Sequence, residues 1–249
     1  MPGGGLARPV DAVLGVPGVP QSATGQTTLL SGVNSQAAIG QHLTGFPNEA
    51  LREILRRHSI LKQVTDRGLE ARFLNAFRPR FWELSEERKW TLSATTVATL
   101  AAGRDFFDLE DLRQGRCVYQ EFTNAELIER GFDVAPMTPA EAGRIIGTEA
   151  GRYGFSLYEY FQSDKAGHSA ERERIEHHLR MLEEFLRALL KARAADLRVV
   201  LCSDHGNLED LSTHRHTTNP VPLMVWGDED FLTGVTRLDQ VTPRILATL

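Results

Sequence analysis

Long apolar runs are missing from this chain. No stretch is apolar enough, for long enough, to cross a membrane, so a membrane partner is not expected. Cysteine is scarce too. Cys117 and Cys202 are the only two in 249 residues, too few for a disulfide framework, and a reducing, cytoplasmic compartment is the expectation. The opening Met1-Pro-Gly-Gly-Gly-Leu-Ala-Arg lacks the apolar centre of a secretory signal. Excess positive charge is also lacking. A formal net charge of -5 argues against a nucleic-acid partner, whose phosphates call for a basic footprint. The arginines that do cluster, from Arg52 to Arg57 and in Arg78-Pro79-Arg80, read as a solvated helix face and a loop.

What is present is the composition of an ordinary globular protein, 41% apolar and 24% charged. A chain this long buries a sizeable core, as one large α/β domain or as one domain with a small insert. The first twenty residues, rich in Gly and Pro, read as loop, and Thr27 to Gly32 as an early helix or turn. Ala50 to His58 places Leu51, Ile54 and Leu55 on one helical face, and the pattern continues through Val64 to a stop at Gly68. Glu70 to Ala76 reads as a short strand. From Arg78 to Met137 there is no clear alternation of strand and helix, which suggests a small inserted cap between core segments 1–77 and 138–249. Thr138-Pro139-Ala140-Glu141 is a strong helix start, with Thr138 as cap and Pro139 in the first turn.

Two apolar segments then each end in an aspartate. Phe155 to Ser163 leads to Asp164, and Leu197 to Ser203 leads to Asp204. Between them, Ser169 to Ala194 carries Ile175, Leu179, Leu182, Phe185, Leu186 and Leu189 at helical spacing. Strand, helix, strand in that order predicts a βαβ unit, hence an α/β fold with a mostly parallel sheet and helices on both faces. Pro222 to Trp226 reads as another strand and Pro243 to Leu249 as a last helix. In open α/β sheets ligands gather at the carboxyl ends of strands. Asp164 and His168 fall at one such end, Asp204 and His205 at the other, and His216 follows close behind. Carboxylates and imidazoles together suit Zn, Mn or Fe. Taken singly, each has a plainer reading as cap, turn or exposed loop residue. His177 and His178, between charged residues of the long helix, read as solvated. His58 reads as favouring a helix C-terminus, and His214 as a neighbour of the site, not a ligand.

Ser203-Asp204-His205-Gly206-Asn207, followed by His216-Thr217-Thr218-Asn219-Pro220-Val221-Pro222, resembles the C-terminal metal signature of cofactor-independent phosphoglycerate mutase and phosphopentomutase. These are members of the alkaline phosphatase superfamily. Asp164-Lys-Ala-Gly-His168 resembles the Asp-x-x-Gly-His motif that precedes it there, and the order, spacing and long intervening helix agree. Pro20-Gln21-Ser22-Ala23-Thr24-Gly25-Gln26-Thr27 is similar to the nucleophile segment, with Gln26 where the family has His. On that alignment Ser22 is the nucleophile and Thr24 its rival.

The resemblance implies an alkaline-phosphatase-like core and a metal-dependent phosphatase or phosphomutase acting on a small phosphorylated substrate. It implies two divalent ions, Mn or Zn. Asp164, His168 and His216 would hold one, and Asp204 and His205 would help hold the other, with Ser22 between substrate and metal. It also implies a first strand ending in Asp ahead of the nucleophile. Only Asp11 precedes Ser22, so that strand is expected to be missing. The competing expectation is a non-catalytic remnant that serves as a structural or interaction module.

Overall fold

A computed structural model describes residues 4–249; Met1 to Gly3 of the opening stretch lie outside the described residues. The chain is a mixed α/β structure. Its order is β1 (Leu6–Val10), α1 (Ser22–Ser31), α2 (Ser35–Ile39), α3 (Glu49–His58), α4 (Ile60–Asp66), β2 (Ala71–Phe73), α5 (Glu86–Lys89), α6 (Ala94–Ala101), α7 (Leu109–Arg113) and α8 (Ala125–Glu129). The second half runs α9 (Pro139–Glu149), β3 (Phe155–Leu157), α10 (Gln162–Ser169), α11 (Arg172–Ala192), β4 (Val199–Cys202), β5 (Val221–Trp226) and α12 (Val241–Leu246).

The sheet differs from the parallel expectation. β1, β5 and β4 form one antiparallel sheet in that order, and β2 and β3 form a separate parallel pair. β3 and β4, the two strands of the expected βαβ unit, are therefore not neighbours among the described residues. The first twenty residues are not all loop either. Leu6 to Val10 is an edge strand, with Val10 opposite Val221. Pro222 is tolerated in the central strand because β4 pairs only with residues Leu223 to Trp226, so its missing N–H breaks no bond to β4.

The antiparallel arrangement still delivers the site residues to one edge. β4 ends at Cys202, and β5, running the other way, begins at Val221. The whole 203–220 loop is thus held at the carboxyl end of β4. Val10, the last residue of β1, lies opposite Val221 at that same edge, so the chain leaves β1 there on its way to Ser22.

Three clusters make the core. Val10, Leu14, Val221, Leu223, Phe231 and Leu238 pack around the three-stranded sheet. Leu30, Leu55, Leu61, Val97, Ala98 and Leu246 pack the helices of the first half. The third joins Leu74, Phe107, Phe122 and Leu127 to Ile146 of α9 and Phe185 and Leu189 of α11. Residues of the 78–137 segment contribute to both of the last two clusters. α9 starts with the expected capping box at Thr138 and Glu141. It lies so close to α11 that a Cβ on Gly147 would stand 2.6 Å from the Leu189 carbonyl oxygen. Leu179 stays exposed on α11, whereas Ile175, Phe185 and Leu189 are buried.

The aromatic segment read as one long strand to Asp164 is split. Only Phe155 to Leu157 pairs, because β2 offers three residues. Tyr158 and Tyr160 instead stack on Phe122, the second with ring centroids 4.2 Å apart. Asp164 is consequently not at a strand end but in the first turn of α10. No helix among the described residues is long and apolar enough to cross a membrane.

Candidate metal centre

α10 sets the first pair of donors. Asp164 and His168 are four residues apart, so a helix places them on one face, and His168 Nε2 lies 3.4 Å from Asp164 Oδ1. The loop between β4 and β5 brings His216, whose Nε2 lies 3.3 Å from Asp164 Oδ1 and 3.2 Å from His168 Nε2. His205 closes the group, with Nε2 3.8 Å from Asp164 Oδ1 and its ring stacked on His216 at 3.7 Å.

The other ring nitrogens decide what faces inward. His216 Nδ1 lies 2.9 Å from the Pro20 carbonyl and His168 Nδ1 2.7 Å from the His214 carbonyl. A carbonyl oxygen only accepts, so both Nδ1 atoms donate and both Nε2 atoms of the neutral rings turn lone pairs inward. Two lone pairs and a carboxylate oxygen then meet within 3.2 to 3.4 Å. That convergence is unfavourable without a positive charge. Donors on one tetrahedral ion with bonds near 2.1 Å stand roughly 3.4 Å apart, so the set fits a divalent cation.

Electrostatics agree. Burial works against charge on Asp164, but hydrogen bonds from His216 and Asn207, with His205 and His168 nearby, outweigh it and hold the carboxyl down at about 2. Burial also disfavours charge on His216, yet Asp164 and the Pro20 carbonyl raise its pKa above the ordinary value. A proton on His216 therefore competes with a cation for this place. The affinity for a divalent ion should therefore fall as pH is lowered through that raised pKa, each ion displacing a proton from His216. Titration calorimetry in buffers of different ionisation enthalpy measures that release, and an affinity constant from pH 6 to 8 would contradict it.

All these donors lie in one stretch. Residues 137–249 match the family model of the metalloenzyme superfamily. Over these residues, somewhat under half of the chain, the sequence is similar to that superfamily. Among solved structures, one similar to the chain is that of the PH0037 protein from Pyrococcus horikoshii, at 15% identity and a TM-score of 0.45, over 68% of this chain and 40% of that one. The chain thus spans about two fifths of the length of that protein. Comparison with curated proteins gives no match.

Next to these candidate donors, Asp204 is half-buried just beyond the end of β4. Its Oδ2 lies 3.5 Å from His205 Nε2 and has no hydrogen-bond partner among the described residues, and burial pushes its carboxyl up. Ser22, the first residue of α1, places Oγ 3.1 Å from the same His205 Nε2. Ser22 and Asp204 thus approach one nitrogen of His205, whereas a Ser-His-Asp triad uses both nitrogens. The pattern is that of a ligand cluster. Thr24, the rival nucleophile, is buried and bonded to the Gln21 carbonyl and the Leu43 amide, away from this point.

Three contributors escaped sequence reading. Asn207 Nδ2 donates to Asp164 Oδ1 at 2.9 Å and fits against Gly167, where a Cβ would come within 2.5 Å of Asn207 Cγ. Glu209 ties the loop together by accepting from the Asn207 amide at 2.8 Å, from Asn219 at 3.1 Å and from the Thr217 hydroxyl. Glu159 accepts from Thr95 Oγ1 at 2.8 Å, and its carboxyl is pushed up to about 8 by burial and the charge of Asp204. The motif Ser203–Asn207 pointed toward Asn207; the other two lie outside any pattern. His178, expected to be solvated, bonds Tyr160 at 3.0 Å.

Proposed function

We propose that this chain is a metal-dependent phosphoryl-transfer enzyme that works on a small phosphorylated substrate. Ser22 is its nucleophile, and two divalent ions, Mn or Zn, are its cofactors. The observation that carries the reading is the convergence of the His168 and His216 Nε2 atoms on Asp164 Oδ1. Asp164, His168 and His216 hold the first ion. Asp204 and His205 hold the second, beside Ser22. Divalent ions in such a place supply positive charge to the oxygens of the transferred phosphoryl group.

The chain's own residues support the rest. Ser22 opens a ten-residue helix, so a phosphoryl group on its oxygen sits at the positive end of the helix dipole. Ser22 Oγ forms a bond to phosphorus as the ester P–O bond breaks, and water then releases phosphate from the serine. Hydrolysis is favoured over mutase chemistry. A mutase must keep water out, whereas the side chains of Asp164 and His168 are 36% and 44% exposed. Two free cysteines accord with a cytoplasmic setting.

Ser22→Ala is the test. The variant should lose at least about 100-fold in hydrolysis of p-nitrophenyl phosphate, within the range seen when a nucleophile is removed. Elemental mass spectrometry should still find two ions per chain in both proteins. Full activity in the variant would remove Ser22 from the mechanism. One ion per chain in the wild type would remove the second metal.

A further inference from the structure

We propose that His214, outside the ligand set, is the positioning residue that fixes the tautomer and orientation of His168; only its metal-affinity consequence rests on the function proposed above. The two residues, 46 apart in sequence, are joined by reciprocal bonds. His168 Nδ1 donates to the His214 carbonyl at 2.7 Å, and His214 Nδ1 donates to the His168 carbonyl at 3.0 Å. Each imidazole serves the other's backbone.

The arrangement solves two problems at once. The His168 carbonyl is among the last four of α10, which lack intrahelical donors. The next turn cannot supply one, because α10 stops at Ala170 in the left-handed region, at φ 52, a conformation disfavoured for a residue with a Cβ. His214 supplies that donor. In exchange, the His214 carbonyl holds the proton of His168 on Nδ1. An imidazole free in water prefers that proton on Nε2, the atom His168 must leave bare to face Asp164 Oδ1 and His216 Nε2. Burial does not enforce the choice, since the His168 side chain is 44% exposed. The pairing with His214 does.

Removing the His214 ring deletes one bond outright and frees the loop carbonyl that makes the other. Asn at this position would restore the first bond, because its Nδ2 falls where the histidine Nδ1 was. Gln would not, because its amide nitrogen lies one carbon farther out.

The experiment uses the full chain as wild type, His214→Ala, His214→Asn and His214→Gln. Two-bond proton–nitrogen spectra of the metal-free proteins report the tautomer of His168, assigned by the signal lost in His168→Gln. Calorimetry with Zn alone reports affinity. Wild type and the Asn variant should show the Nδ1–H tautomer of His168. The Ala and Gln variants should show a mixture and bind Zn about 10- to 100-fold more weakly, the usual effect of losing an outer partner of a ligand histidine. An unchanged tautomer and affinity in the Ala variant would overturn the proposal, even if its unfolding temperature fell. So would an Asn variant as weak as the Ala one. Should the Ala variant fail to fold, the Asn and Gln pair decides. A wild type that binds no Zn would sink the metal reading, while the tautomer comparison would still decide the role of His214.

Discussion

Asp164→Asn is expected to weaken binding of a divalent ion by more than about 100-fold, beyond what losing an outer partner costs. Asp164 Oδ1 is the hub of the centre, 3.3, 3.4 and 3.8 Å from the Nε2 atoms of His216, His168 and His205. His168 and His216, proposed to share the first ion with it, would be neutral as ligands, so this oxygen would bring that ion's negative charge. An amide has nearly the same shape and still fits beside Asn207, so the fold should survive. The full charge is lost, and the amide oxygen that stays beside Asn207 is a far weaker donor to a cation. The proton on His216 loses its main support as well, because Asp164 is what raises its pKa against burial. The variant should therefore release fewer protons per ion bound, as well as bind fewer ions. His177→Ala, on α11 and away from these donors, serves as the control and should bind as the wild type does. If Asp164→Asn kept wild-type affinity, the cation would have to sit elsewhere, and the convergence at Asp164 would be a hydrogen-bond cluster alone.

The candidate donors could be picked out of the sequence for a physical reason. A metal centre needs several strong donors at one place, and the loops that supply them must carry Asp and His at fixed offsets. Asp164 and His168 show this at i and i+4, and Asp204, His205 and His216 show it around a short loop. Strand direction was not legible. A strand of three to six residues alternates the same way whether it runs parallel or antiparallel, so β4 and β5 carried no mark of their antiparallel pairing. β1 was hidden by the Gly and Pro around it, although Leu6 to Val10 pairs along its whole length with β5. The site survived both errors because the edge reached is the same: the carboxyl end of β4 and the amino end of an antiparallel β5 coincide. Residues that act through the backbone stayed invisible. The Pro20 carbonyl orients His216, and the His214 carbonyl orients His168. A carbonyl belongs to every residue type and leaves no trace in composition. Glu159 was missed because its meaning depends on Asp204, 45 positions away, and on burial that only the fold creates.

Gly25→Ala should destabilise the chain and disable Ser22 together. By helix propensity alone the change is favourable, since Ala in a helix interior is worth about 1 kcal/mol over Gly. Here the added Cβ would press into the Asp204 carbonyl oxygen and stand 3.1 Å from the carbonyl carbon and 3.3 Å from Asp204 Cβ. The obstacle is backbone at the end of β4, which cannot rotate aside as a side-chain tip can. Overpacking of this kind costs about 1–3 kcal/mol and should exceed the propensity gain. Each kcal/mol of net loss lowers the unfolding temperature of a chain this size by about 2–4 °C. The functional loss has the same origin. Gly25 lies one turn beyond Ser22, so α1 must back away from Asp204, and the 3.1 Å approach of Ser22 Oγ to His205 Nε2 opens with it. Positioning errors of about 1 Å can cost on the order of 100-fold in rate, so the phosphatase activity proposed above should fall by at least about 10-fold. Gly151→Ala, whose Cβ would meet nothing nearer than 3.9 Å, is the matched control and should leave activity unchanged. A Gly25→Ala variant with a raised unfolding temperature and intact activity would mean that α1 does not rest on Asp204, and the link between Ser22 and the 203–220 loop would have to be drawn through Pro20 and His216 alone.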